Sequence, residues 1–174
     1  ANDSGNESGE RTYVRVLGIA QDAGYPQAGC RRECCRGAWE HPERRRFATS
    51  LAVVDPVSGQ QWLLDCTPDF REQLHMLQAE TNHPEFAKST TAPLLDGIFL
   101  THAHIGHYAG LMHLGREVMG TDGMPVYAMP RMQQFLTSNG PWSQLITLNN
   151  VSLQPLRANQ PVLLNERLSV TPLV

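Results

Sequence analysis

Apolar and polar residues largely alternate from Tyr13 to Ala20 (YVRVLGIA), a period-two pattern that predicts a first strand. Two further β-rich runs, Thr49–Val54 and Gln61–Asp65, flank a Pro-Val-Ser-Gly turn and predict a hairpin. A helix follows. Thr67 fits its N-cap, Pro68 its first position, and Asp69 the positive end of its dipole, with Leu74 and Leu77 on the buried side. Glu80 to Leu95, with two prolines, reads as a loop. Gly97–Thr101 is a buried strand, and a helix is expected from about Gly106 to Met119, with Leu111, Met112, Leu114 and Val118 as its core stripe. MPVYAMP is another strand, and Pro130 opens a helix that Gly140 closes. Two or three short strands finish the chain, including a hairpin whose second strand runs from Leu168 to Val174. The pattern is that of an α/β (α+β) layered protein without a solenoid repeat.

The 174 residues are one domain's worth, expected over residues 12–174. Residues 1–11, opening ANDSGNESGE, are small, polar and acidic and read as a disordered leader. A start at Ala1 is what removal of a signal peptide leaves, which favours an extracytoplasmic (periplasmic) location over a cytoplasmic one; other trimming would look the same. A strand ending at the last residue predicts truncation at the C-terminus. The net charge of -3 gives no electrostatic case for nucleic acid or anionic membrane, and no apolar run approaches the ~18 residues a span requires. Arg44, Arg45 and Arg46 form the one basic cluster, read as a solvated face.

The chemistry concentrates in THAHIGHYAGL. His102 and His104, two apart in extended backbone, project to one side, and the next turn can swing His107 toward the same point. Neutral imidazoles suit zinc, iron, nickel or copper, and three of them make most of a metal's inner coordination. His41, His75, His83 and His113 read as structural histidines. Cys30, Cys34 and Cys35 sit within six residues, with His41 as a possible fourth ligand; they read as a second metal site or a disulfide. Cys66 reads as a buried apolar residue.

These residues resemble the metallo-β-lactamase superfamily, whose signature is T-H-x-H-x-D-H after a core strand. The resemblance implies an αββα sandwich, of which this chain holds the N-terminal part. It implies that His102 and His104 hold the first metal, that His107 belongs to the second, and that Asp65 supports the histidine loop. Gly106 stands where the family has an aspartate ligand of the second metal. Blocks from Val14 to Glu117, among them GIAQDAGYPQAGCRRECC, QQWLLD and LDGIFLTHAHIGHYAGLMHLGRE, are similar to the coenzyme-PQQ-synthesis protein B branch. That branch carries a zinc-holding cysteine cluster in the first loop and erodes the histidine motif differently, keeping its aspartate.

Losing a carboxylate at position 106 removes one charge and one ligand, so the second metal is expected to be weak, and restoring aspartate there is expected to strengthen it. Gly106 also suits a tight turn. The implied cofactor is zinc (Zn), one or two ions, with iron or manganese as alternatives. The implied function is a metal-dependent hydrolase acting through a metal-activated water on a small-molecule substrate. The alternatives are an iron-dependent oxidative enzyme related to PQQ-cofactor synthesis and a non-catalytic binding protein. No catalytic side chain and no substrate is assigned. Both a homo-oligomer and association with a separate C-terminal part are open.

Overall fold

One mixed sheet runs in chain order: β1 (Tyr13–Gly18), β2 (Ser50–Asp55), β3 (Gln60–Leu64), β4 (Gly97–Phe99), β5 (Met124–Ala128) and β6 (Val151–Pro155). β1, β2 and β3 pair antiparallel, whereas β3, β4, β5 and β6 pair parallel. The computed structural model describes residues 11–80 and 94–173. The leader's first ten residues and most of the Glu80–Leu95 loop lie outside them, as does Val174.

Parallel strands need crossovers, and helices supply them. α2 (Phe70–Glu80) leads toward β4, and α3 (Pro130–Ser138) and α4 (Trp142–Thr147) connect β5 to β6. Leu63, Ile98 and Val126 face this helical layer and meet Phe70, Leu77 and Leu136, all at most 1% exposed. The opposite face carries a smaller cluster of Trp62, Phe99 and Leu156, against which pack residues of the two-stranded β7 (Val162–Leu163) and β8 (Ser169–Val170). Phe99 and Tyr127 stack there with centroids 4.3 Å apart. An apolar cavity of about 450 Å³ opens on this face, lined by Trp62, Leu64, Phe99, Met129, Leu156 and Leu164.

Register decides where chemistry emerges. Leu64 lies level with Phe99 in the parallel β3–β4 pair, so Asp65 and Thr101 leave the sheet side by side at its carboxyl edge, the edge where open α/β sheets place their sites. The strands expected between Tyr13 and Ala128 and the α2 and α3 helices are present. The strand expected from Leu168 to Val174 is, among the described residues, only Ser169–Val170 of β8. α2 begins at Phe70, so Thr67 and Pro68 lie in the turn that leads into it and not at its cap and first position; the Thr67 hydroxyl accepts from the Asp69 N–H at 3.1 Å. α1 (Glu33–Glu40) and α4 were not expected, because Gly, Cys and Pro around them read as loop.

The expected helix over 106–119 is replaced by two 3₁₀ segments, Ile105–His107 and Ala109–Leu114. The cause is a competing set of backbone bonds. The His107 carbonyl accepts from Cys66 N–H at 2.8 Å, and the Gly110 N–H donates to the Cys66 carbonyl at 2.9 Å. The segment is thereby stitched to the end of β3 instead of closing α-helical turns. Leu111 and Leu114 are buried, but Met112 and Val118 are each 59% exposed, so half of the expected core stripe faces outward. Gly110 permits the close approach: a Cβ there would lie 2.2 Å from the Thr67 carbonyl oxygen and 2.9 Å from Cys66 Sγ. Gly110→Ala is therefore expected to lower unfolding free energy by about 1–3 kcal/mol. Urea denaturation checks this, and an unchanged midpoint would contradict the packing account.

Candidate metal centre

Asp65 follows β3 with φ of 67°, the left-handed region that aspartate enters more readily than most residues. Its side chain explains why glycine does not stand there. The carboxylate accepts the Thr101 backbone N–H at 2.8 Å. It also accepts the Thr101 hydroxyl proton, with 2.9 and 2.7 Å to its two oxygens. His107 Nδ1 lies 2.8 Å from Oδ2. The Asp65 side chain is only 7% exposed, so these bonds replace its lost hydration.

This arrangement places a proton on Nδ1 of two imidazoles. A carboxylate only accepts, so His107 carries its proton on Nδ1 and directs Nε2 away from Asp65. The Thr101 hydroxyl has spent its one proton on Asp65, so at 2.9 Å from His102 Nδ1 it accepts from that ring nitrogen. His102 Nε2 then carries a lone pair, and it lies 3.1 Å from His104 Nδ1. Two ligands of one tetrahedral zinc stand ~3.3 Å apart. The His102 ring lies between the other two, its centroid 4.0 Å from that of His107 and 4.7 Å from that of His104. Potential donor atoms of Asp65, His102 and His107 lie within 4.8 Å of one another. Asp65 is committed to supporting bonds, and the imidazole nitrogens are left as the donors. Neutral imidazoles backed by carboxylates suit zinc, iron or manganese.

Position 106 departs from expectation. Gly106 is buried beneath the loop that follows β1, and a Cβ there would lie 2.3 Å from the Asp22 carbonyl oxygen. Restoring aspartate at 106 therefore collides with backbone, and the expectation that it would simply strengthen metal binding does not hold in this arrangement. Asp22 itself, absent from the residues singled out in the sequence, places Oδ1 3.2 Å from His107 Nε2. The available signal was its position just past the carboxyl end of a strand.

Cys30, Cys34 and Cys35 bring their sulfurs within 4.8 Å of one another, although Cys34 and Cys35 are adjacent on α1. All four cysteines are free thiols. His41 stands apart, its Nδ1 3.3 Å from a Glu43 carboxylate oxygen. The Arg32 backbone N–H, and then Cys35, hold the Cys30 thiol below its ordinary range, which favours the thiolate form that metals bind. Burial pushes the Cys66 thiol well above its usual range, and it is an inert core residue.

Asp65→Asn tests the carboxylate. The amide retains one acceptor but presents N–H to His107 Nδ1, which drives the imidazole proton to Nε2. Nitrogen-15 NMR of His107 is expected to report the switched tautomer, with metal affinity at least ten-fold weaker. Stability is expected to fall by about 1–3 kcal/mol.

Known proteins share this arrangement of elements. Coenzyme PQQ synthesis protein B of Methylococcus capsulatus is 31% identical over 134 residues, which is 76% of this chain and 42% of that protein. The crystal structure of Zn(2+)-bound PqqB from Methylobacterium extorquens superimposes with a TM-score of 0.77 at 25% identity, covering 94% of this chain and 56% of that one. A diphosphatase from the PhnP family gives a TM-score of 0.59 at 26% identity, covering 87% and 52%. The chain thus spans under half the length of the curated relatives it matches. The family model described as the beta-lactamase superfamily domain matches residues 60–174, from the start of β3 through the histidines to the last residue. Sheet order, histidine corner and family match agree that the chain belongs to the metallo-β-lactamase superfamily, as a PqqB-like member.

Proposed function

We propose that the chain carries the N-terminal half of the metal centre of a metal-dependent hydrolase. The observation that supports this most directly is the approach of two ring nitrogens, His102 Nε2 and His104 Nδ1, 3.1 Å apart at the sheet's carboxyl edge. His102 and His104 would hold a divalent cation there, which would supply Lewis acidity and a more acidic bound water. The protein's own part is to hold the rings. Thr101 fixes His102 in the tautomer that directs Nε2 outward, and Asp65 orients Thr101 and His107 together. Among the described residues only His102 and His104 direct nitrogens at this first position, so we assign its remaining ligands to a part of the site outside them.

Zinc is the metal we favour, in keeping with the zinc-bound PqqB and with the imidazole donors. The cysteine triad forms a second candidate zinc site, structural in character because α1 and the first loop close around it. The substrate we infer is a small molecule carrying a phosphoester or similar ester, in line with the likeness to a diphosphatase.

Elemental analysis of the purified chain, wild type against His102→Ala, is the test. The variant is expected to retain about one equivalent less zinc and to lose any zinc-dependent hydrolysis of bis(p-nitrophenyl) phosphate. Equal zinc in both proteins would refute the assignment, and iron-dependent oxygen consumption without hydrolysis would replace it with an oxidative chemistry.

A further inference from the structure

We propose that Asp22 takes over from the aspartate missing at position 106 as the acidic ligand of a second metal position shared with His107. This rests on the histidine corner being a metal centre and adds to it a ligand from a different loop.

The geometry begins at His107. Its Nδ1 proton is held by Asp65 at 2.8 Å, which leaves Nε2 to face the Asp22 carboxylate at 3.2 Å. That separation is close to the ~3.3 Å between two ligands of one tetrahedral zinc. The ring is largely buried, its side chain 12% exposed, whereas the Asp22 side chain is 43% exposed. Asp22 also lines a cleft of about 500 Å³ that runs from Ala20 to Cys34 and Cys35, so a hydrated cation can reach it.

Space makes the exchange a coupled one. A Cβ at position 106 would lie 2.3 Å from the Asp22 carbonyl oxygen and 2.7 Å from its carbonyl carbon and Cα, contacts with backbone rather than with a flexible side-chain tip. The loop is held on both sides of Asp22. The Ala20 N–H donates to the Phe47 carbonyl at 2.9 Å, and Tyr25 exchanges backbone bonds with Arg46 at 2.7 and 2.8 Å. The missing side chain at 106 is thus the room in which the loop sits, and the loop brings a carboxylate to the same imidazole. The charge lost at Gly106 returns at Asp22, and a doubly charged cation there is again offset by an anionic ligand.

Calorimetric titration of the metal-stripped chain with zinc, followed by elemental analysis after desalting, tests the assignment in wild type, Asp22→Asn, Asp22→Ala and His102→Ala. Both Asp22 substitutions are expected to weaken one zinc-binding event at least ten-fold, alanine more than asparagine. The event lost in His102→Ala is expected to persist in both. Unchanged thermal unfolding of the Asp22 variants in the absence of metal would tie the loss to ligation rather than to folding. Isotherms of both variants that superimpose on wild type would make Asp22 a plain ion-pair partner of His107 and overturn the proposal, while loss of zinc in His102→Ala would leave the metal centre itself standing. Equal zinc uptake by wild type and His102→Ala would remove the metal centre and this proposal with it.

Discussion

A single carboxylate organises the carboxyl edge of the sheet. Asp65 receives a backbone N–H and a hydroxyl from Thr101 and an imidazole N–H from His107, and it does so from a left-handed backbone conformation. A non-glycine residue in that region costs about 1–3 kcal/mol, and such strain persists where surrounding bonds over-determine it. Here the bonds join the end of β3 to the end of β4 and to the 3₁₀ segment beyond. The same bonds hold Nδ1 of two rings, His107 directly and His102 through Thr101, so fold and chemistry depend on one side chain.

The second constraint is spatial. Metal sites of this kind are assembled from loops at the ends of neighbouring strands, and their ligands must share a few cubic ångströms. Gly106 and Asp22 show how two loops divide such a volume: the backbone of one occupies the place of a side chain on the other. A substitution at either position is therefore felt at both. The cysteine triad extends the arrangement, since Cys34, Cys35 and Asp22 line the same cleft.

The two faces of the sheet differ in the same economical way. Helices α2, α3 and α4 seal one face over a core in which Ile98 and Val126 are fully buried. The other face keeps a smaller aromatic cluster with an apolar cavity beside it, bordered by Thr101 at the histidine corner. Among the described residues no helix is long and apolar enough to cross a membrane.

Sequence by itself determined where most strands and the α2 and α3 helices fall and singled out the histidine motif, because these rest on short-range signals. The order and direction of the strands in the sheet come from the structure. Alternation in YVRVLG, the Thr67-Pro68 helix start and the HxHxxH spacing act within a few residues of one another. It did not determine the 3₁₀ course of 105–114, where hydrogen bonds from Cys66, some forty residues earlier, outcompete local helical ones. Nor did it disclose Asp22, separated from His107 by 85 positions. Which carboxylate meets which imidazole is set by strand register and by the volume left at Gly106. Those are properties of packed neighbours, and only the tertiary structure brings the neighbours together.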